Sequence, residues 1–343
     1  MKRKWEQLTL EQSLGVPAPR PPVRLLHPVG APRASTGNRP LVVELFCGLG
    51  GWAEGSRRAG LETVLAVDCD MALLRLHKAN HPRCTQCQMV LGPRSEADLV
   101  RLIRAHVPPG RAWHLHGSPP CQRISCASAM RGRKSTEEGM GLVLWYLALV
   151  LRLDPPTWSM EEVSHAQLTG ALAMARQLRP DAVDFVPSLC MGEYGVPQHR
   201  KRCIAGTPRV VRRLRDAAEL RAPAPALRDV VAPPPGAAVC MSPTGRLPDR
   251  RRNVPRGDGT FANATIRRCM RPVDAVAWTC TAGNRLIWCT ADYRVLRRFT
   301  IAEQLAVQTF ARDYRVGRRP AVATVGVGQA VPPLFARKFM ACL

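Results

Sequence analysis

The stretch Leu41-Val42-Val43-Glu44-Leu45-Phe46-Cys47-Gly48-Leu49-Gly50-Gly51 decides the fold. Its apolar start reads as a buried strand. Its glycines read as a strand-to-helix turn where backbone can approach a ligand closely. A lone Gly-x-Gly-Gly is weak evidence, but the next strand pattern ends in Val67-Asp68-Cys69-Asp70, about 20 residues on. A nucleotide-type sheet places there the carboxylate that grips ribose hydroxyls. Beyond it, strands are expected at 62–67, 112–116 and 158–161, and helices at 71–79, 97–106, 141–153 and 166–178. This alternation implies an open, largely parallel α/β sheet.

Four domains are expected: a disordered basic arm at 1–39, a catalytic and cofactor-binding domain at 40–210, a small lobe at 211–296, and a return of the chain to the first domain at 297–343. The arm is rich in Pro and Arg and lacks periodicity. From 221 to 256 the chain is again rich in Pro, Gly and Arg, and 273–290 holds short β-like pieces such as Leu286-Ile287-Trp288. Helical pattern resumes at Thr300, a candidate N-cap with Glu303 completing a capping box. An apolar, glycine-containing segment and a helix from Val331 to Ala341 close the chain.

The 343 residues carry a formal charge of +24, from 50 Lys+Arg against 26 Asp+Glu; only six of the 50 are Lys. Arginine favours forked contacts to phosphate and guanine. So large an excess is the footprint of a polyanion partner. Thirteen scattered cysteines, an odd number, fit thiols in a reducing intracellular compartment: the nucleus in a eukaryote, otherwise the cytoplasm. The N-terminus lacks a secretory leader's apolar core, and the longest apolar run, Leu142–Leu151, is too short to span a bilayer.

Gly117-Ser118-Pro119-Pro120-Cys121-Gln122-Arg123-Ile124-Ser125 reads as a cysteine on a rigid turn after a strand, with polar Gln122 and Ser125 near the sulfur. The alternative is a buried structural thiol. Thr157-Trp158-Ser159-Met160-Glu161-Glu162-Val163 reads as a strand ending in paired acids. In Gln198-His199-Arg200-Lys201-Arg202, strand alternation sends Gln198, Arg200 and Arg202 to one face. His77, His81, Cys84 and Cys87 have a spacing that zinc can use, but a helix end leading to a strand is the favoured reading and no metal is expected.

Taken in order, these segments resemble the cytosine-5 DNA methyltransferase family, from about Leu41 to Phe339. The resemblance implies a Rossmann-like, S-adenosylmethionine-dependent methyltransferase sheet with a smaller target-recognition lobe. It implies transfer of a methyl group to carbon 5 of cytosine through a cysteine adduct and base flipping, on double-stranded DNA, by a monomer without a membrane. Cys121 matches the family's nucleophile and Glu161 its active-site glutamate. Arg202 matches the base-contacting arginine, with Arg200 and Gln198 beside it. For S-adenosylmethionine, Phe46 matches the adenine-packing position, Gly48, Leu49 and Gly50 the turn at the methionine part, and Asp68 the ribose carboxylate. Cys69 stands beside the adenine, and Gln329 and Val331 match the segment closing over the cofactor. Three departures stand out. Glu162 and Gln329 each replace an asparagine, and no Gly-Asp-Ile-like adenine loop lies between Cys84 and Pro109. A second acid at Glu162 is expected to repel charge on Glu161 and favour its work as a proton donor. Two rival readings are a tRNA cytosine-5 methyltransferase, whose Cys-Phe-Thr signature is not visible, and an inactive DNA-binding pseudo-enzyme motivated by the departures.

Overall fold

A computed structural model describes residues 23–27, 39–120, 136–241, 270–291 and 295–343, with side chains from 140 onward in the third segment. The strands are β1 (Arg24–Leu26), β2 (Leu41–Leu45), β3 (Glu62–Asp68), β4 (Thr85–Gln88), β5 (Trp113–Gly117), β6 (Thr157–Glu162), β7 (Asp184–Cys190), β8 (Gln198–His199), β9 (Lys201–Gly206), β10 (Ala237–Met241), β11 (Met270–Arg271), β12 (Ala277–Trp278), β13 (Leu286–Thr290) and β14 (Val295–Arg298). The helices are α1 (Gly51–Arg58), α2 (Met71–Asn80), α3 (Glu96–His106), α4 (Thr136–Leu153), α5 (Ala166–Leu178), α6 (Pro208–Asp216), α7 (Leu227–Val230), α8 (Ile301–Val307), α9 (Pro320–Gln329) and α10 (Pro333–Met340).

Eight strands form the main sheet in the order β1-β4-β3-β2-β5-β6-β9-β7. The five from β4 to β6 run parallel, while β9 is antiparallel to both of its neighbours. Every residue of β2 is buried, as an interior parallel strand requires. One face packs Leu45, Leu65, Leu115 and Met160 against Leu99, Val143, Tyr146 and Leu168 of α3, α4 and α5. The other packs Val42 and Ile204 with Trp52 of α1, Val210 and Leu214 of α6, and Phe335 and Phe339 of α10. The order reverses between β2 and β5, so a crevice opens beyond their C-terminal ends.

A second sheet, β11-β10-β13-β14, encloses its own small core of Leu227, Val239, Leu286, Trp288 and Phe299. The predicted capping box forms: Thr300 Oγ1 accepts the Glu303 amide at 3.2 Å, and Glu303 accepts the Thr300 amide at 2.7 Å. Glu303 also accepts Trp288 Nε1 at 3.0 Å, fastening α8 to the lobe.

Four expectations need correction. Order was expected from Leu41, yet Arg24–Leu26 adds an antiparallel edge strand on β4. The main core runs past residue 211, because Leu214 and Leu220 pack with Trp52 rather than with the lobe. Gln198–Arg202 is not one strand: the ladder breaks at Arg200, leaving β8 paired with β12 and β9 within the main sheet. The apolar-glycine segment is the helix α9, which lies so close to the lobe that a Cβ on Gly328 would fall 2.2 Å from the Thr281 carbonyl carbon.

Candidate active site

The turn after β2 enters the crevice in a conformation most residues avoid. Phe46, Gly48 and Gly50 have φ of 57°, 52° and 94°. Left-handed backbone at a non-glycine residue such as Phe46 is a strained arrangement of the kind found at binding sites. Around Gly48 nothing lies within 4 Å of a Cβ, so its backbone faces free space. Gly50 is different: a Cβ there would meet His77 Cδ2 at 2.7 Å. Leu49 packs inward with Phe310 and Tyr314, and its carbonyl accepts the Tyr314 hydroxyl at 2.7 Å.

Asp68, at the end of β3, fixes this turn. Its Oδ2 accepts the Gly48 amide and its Oδ1 the Asp70 amide, both at 2.8 Å. Burial pushes the Asp68 carboxyl above its usual range. Burial, with Asp68 and Asp70 adding to it, pushes the neighbouring Cys69 thiol up to about 12, so it stays protonated. The Phe46 ring meets Trp145 edge-on, with centroids 6.3 Å apart. Across the crevice, Val331 is buried and its carbonyl would lie 2.1 Å from a Cβ on Gly51, which fixes α1 against the start of α10. The Gln329 side chain is exposed, and its carbonyl accepts from Arg200 Nη2 at 3.4 Å.

The second half of the site is built on β6 and β9. Glu161 is 6% exposed. Its Oε1 lies 2.9 Å from Arg202 Nε and 3.8 Å from Arg200 Nε. Strand alternation sends Glu162 to the opposite face, where Oε1 accepts the Val163 amide at 2.8 Å. The nearest charges to Glu161 are therefore guanidinium groups, not the second acid the sequence led us to expect. Arg200 Nη1 also donates to the carbonyls of Cys280 at 3.2 Å and Gly328 at 3.3 Å. Gln198 is fully buried; it accepts the Cys280 amide at 2.9 Å and donates to Val307 O and Gln308 Oε1. Gln198 and Arg200 thus clamp one residue of the lobe, while Arg202 pairs with Glu161 at the end of β6.

Cys121 lies outside the described residues, as do the Arg250-Arg251-Arg252 cluster and the rest of 242–269. The β5 end that leads to Cys121 is described as far as Pro120. It carries a group of residues the sequence reading missed: His114 and His116, bonded to Ser159 and Ser118. Their signal was the pattern His-x-His on β5 opposite Ser159 on β6. The zinc-like spacing resolves into separate roles. His77 Nδ1 pairs with Gln86 Nε2 at 3.1 Å, His81 Nε2 with the Tyr314 hydroxyl at 3.1 Å, Cys84 packs beside Cys47, and Cys87 joins the main core. Among the described residues no group of three or more His, Cys, Asp or Glu could hold a metal ion, and no helix is long and apolar enough to cross a membrane.

A parallel sheet with a glycine turn and a carboxylate at the crevice, joined to a small β lobe, is a Rossmann-like α/β arrangement. Its fold is similar to the Schizosaccharomyces pombe Dnmt2 methyltransferase, with TM-score 0.60, 14% identity and coverage of 89% of this chain and 98% of that one. It is also similar to the Entamoeba histolytica methyltransferase EhMeth, with TM-score 0.57, 13% identity and coverage of 89% and 97%. Residues 41–209 match the family model described as C-5 cytosine-specific DNA methylase. Curated relatives include the type II methyltransferases M.AgeI of Thalassovita gelatinovora, 31% identical over 168 residues, and M.XorII of Xanthomonas oryzae pv. oryzae, 32% identical over 175. These alignments cover 47% and 48% of this chain but only 37% and 40% of those proteins, so the chain spans about two fifths of the curated relatives it matches.

Proposed function

We propose that this chain transfers a methyl group from S-adenosylmethionine to carbon 5 of cytosine in double-stranded DNA, through a Cys121 adduct on a base turned out of the helix. The observation that carries the reading is the buried Glu161 carboxylate held by Arg202 and Arg200 at the end of β6, one strand from the end of β5 that leads to Cys121. Carbon 5 of cytosine is a poor nucleophile. A thiolate from Cys121 adding at carbon 6 makes it enamine-like. Glu161 faces the same crevice, where its carboxyl can hold ring nitrogen 3 as that atom gains a proton. Arg202 is close enough to Glu161 to share a base edge with it, and Arg200 anchors both to the lobe. The target carbon is inaccessible in a stacked duplex, which is why the base must leave the stack.

The residues present fit the cofactor. The open space at Gly48 has no side chain to fill it, and Asp68, Phe46 and Cys69 line the same turn. Asp68 would take the ribose hydroxyls, Phe46 and Cys69 the adenine, and Gly48, Leu49 and Gly50 the methionine end, with Gln329 and Val331 on the far wall. When bound, S-adenosylmethionine supplies the methyl group. The +24 charge, with Arg212 and Arg213 exposed on α6, suits phosphate contacts. We place the recognition surface on the small lobe, in a monomer.

The test is transfer of labelled methyl from S-adenosylmethionine to unmethylated duplex DNA and, separately, to tRNA, with bisulfite sequencing of the product. We expect label in DNA cytosine only. Cys121→Ser should abolish it and leave cofactor affinity unchanged. Label in tRNA alone would move the substrate to RNA. A parent protein that binds cofactor and DNA yet transfers nothing would make it a pseudo-enzyme.

A further inference from the structure

A continuous chain of side-chain hydrogen bonds runs along one face of the β5–β6 pair, against Trp52, toward the ends of both strands. Thr157 Oγ1 lies 3.0 Å from His114 Nδ1, and His114 Nε2 lies 2.8 Å from Ser159 Oγ. Ser159 Oγ is 2.8 Å from His116 Nδ1, and His116 Nε2 is 2.9 Å from Ser118 Oγ. Alternation explains the alignment: His114 and His116 share one face of β5, and Thr157 and Ser159 share the facing positions of β6. The imidazoles are buried, and Trp52 stacks on His116 with centroids 3.5 Å apart and planes within 5°. Burial drives the His114 ring down to about 3 and His116 well below its usual value, so both are neutral at working pH.

Neutrality gives the chain a direction. Each ring carries one proton, and each hydroxyl carries one. Thr157 donates its proton to the Trp113 carbonyl at 3.3 Å, so it accepts from His114 Nδ1. His114 Nε2 must then accept from Ser159, Ser159 from His116 Nδ1, and His116 Nε2 from Ser118. The Ser118 proton is committed inward to His116, and its lone pairs remain for an acceptor role. Pro119 and Pro120 have no amide hydrogen, so the first main-chain donor in the sequence past Ser118 is that of Cys121.

We propose that His116 is a positioning residue for the proposed reaction: it orients the half-buried Ser118 hydroxyl as an acceptor at the end of β5, three residues before Cys121 in the sequence. It does not itself store a proton, because a charged ring in this site is too costly. The inference rests on Cys121 being the nucleophile, so the readouts include two that do not require methyl transfer.

The experiment compares the parent with Ser118→Ala, His116→Asn and His116→Gln. Asparagine can replace only the bond toward Ser159, whereas the longer glutamine can place a carbonyl where Nε2 accepts from Ser118. Ser118→Ala and His116→Asn should lower kcat about tenfold, the scale of one lost oriented hydrogen bond, with KM for S-adenosylmethionine unchanged. His116→Gln should restore turnover to within about twofold of the parent. Iodoacetamide labelling of Cys121, followed by peptide mass spectrometry, should change rate by at least about threefold in the first two variants. The half-buried Cys190 should label at the parent rate and serves as the internal control. Nitrogen-15 spectra of the parent should place both rings in the neutral Nδ1–H form. Parental turnover and labelling in Ser118→Ala would overturn the proposal, as would equal losses in both His116 variants or an Nε2–H His116. A parent that never methylates DNA would sink the proposed function, while labelling and spectra would still decide this inference.

Discussion

Replacing Arg200 with alanine should cost about 3–5 kcal/mol of stability and loosen the small lobe from the main sheet, the scale found when one partner of a buried charged pair is removed. Arg200 is only 2% exposed, so solvent does little to screen its interactions. Its guanidinium reaches the Cys280 carbonyl at 3.2 Å, Gly328 O at 3.3 Å and Gln329 O at 3.4 Å, and its Nε lies 3.8 Å from Glu161. A hydrogen bond to a charged group contributes about 1.5–3 kcal/mol, so three would sum well above the expected loss. The difference is the cost of desolvating the guanidinium, which alanine no longer incurs. Arg200→Lys should lose roughly half as much, because an ammonium lacks the planar fork that reaches two carbonyls from one nitrogen pair. Urea unfolding followed by tryptophan fluorescence and by circular dichroism is the assay. In the parent the two transitions should coincide. In Arg200→Ala they should separate, with Trp288 in the lobe exposed first. Coincident transitions and a loss under about 1 kcal/mol would refute the clamp.

Three further outcomes are expected. Asp68→Ala should weaken S-adenosylmethionine binding by about 1–3 kcal/mol in calorimetry, and Asp68→Asn by less, because asparagine can still accept one of the two turn amides. Stability should fall from pH 7 to pH 5. His77, His81 and His114 are held near 3 by burial, so below the unfolded value of about 6.5 the unfolded chain takes up protons that the folded chain refuses, at about 1.4 kcal/mol per pH unit for each ring. The raised carboxyls of Glu44 and Asp68 act in the opposite sense, gaining stability as pH falls, but two groups do not offset three; a urea midpoint flat or rising toward pH 5 would contradict this. Gly51→Ala should lower the melting temperature sharply, since its Cβ would sit 2.1 Å from the Val331 carbonyl, whereas Gly141→Ala, with nothing within 4 Å, should be neutral or slightly stabilising.

Local chemistry was legible in the sequence; long-range approach was not. The helix at 166–178 was read with both ends correct, and the Thr300–Glu303 cap was visible because its partners are three residues apart. That Asp68 ends the strand beside the glycine turn followed from spacing, since a parallel βαβ unit fixes where the second strand ends; its bond to the Gly48 amide did not. Helix α9 escaped because its glycines and valines are weak helix formers; contact with Thr281 of the lobe, not intrinsic propensity, accompanies it. Arg24–Leu26 is too short for a periodic signal and depends on the free edge of β4. The same blindness hid the His–Ser chain. Two histidines alternating on a strand read as a polar face, and only the pairing of β5 with β6 brings Ser159 between them. Conversely, the His77–Cys87 spacing suggested a common ligand because spacing says nothing of direction, and β4 turns Cys87 into the core.

The joint at Cys280 has a consequence for how this protein can diversify. Gln198 and Arg200 hold that residue by its amide and its carbonyl, never by its side chain. Small residues other than proline offer the same two atoms at this buried position. The side chains that make the joint belong to the sheet; the lobe contributes main-chain atoms, at a residue whose own side chain packs in the lobe core. A lineage could therefore rewrite the lobe's outward residues without renegotiating how the lobe is mounted.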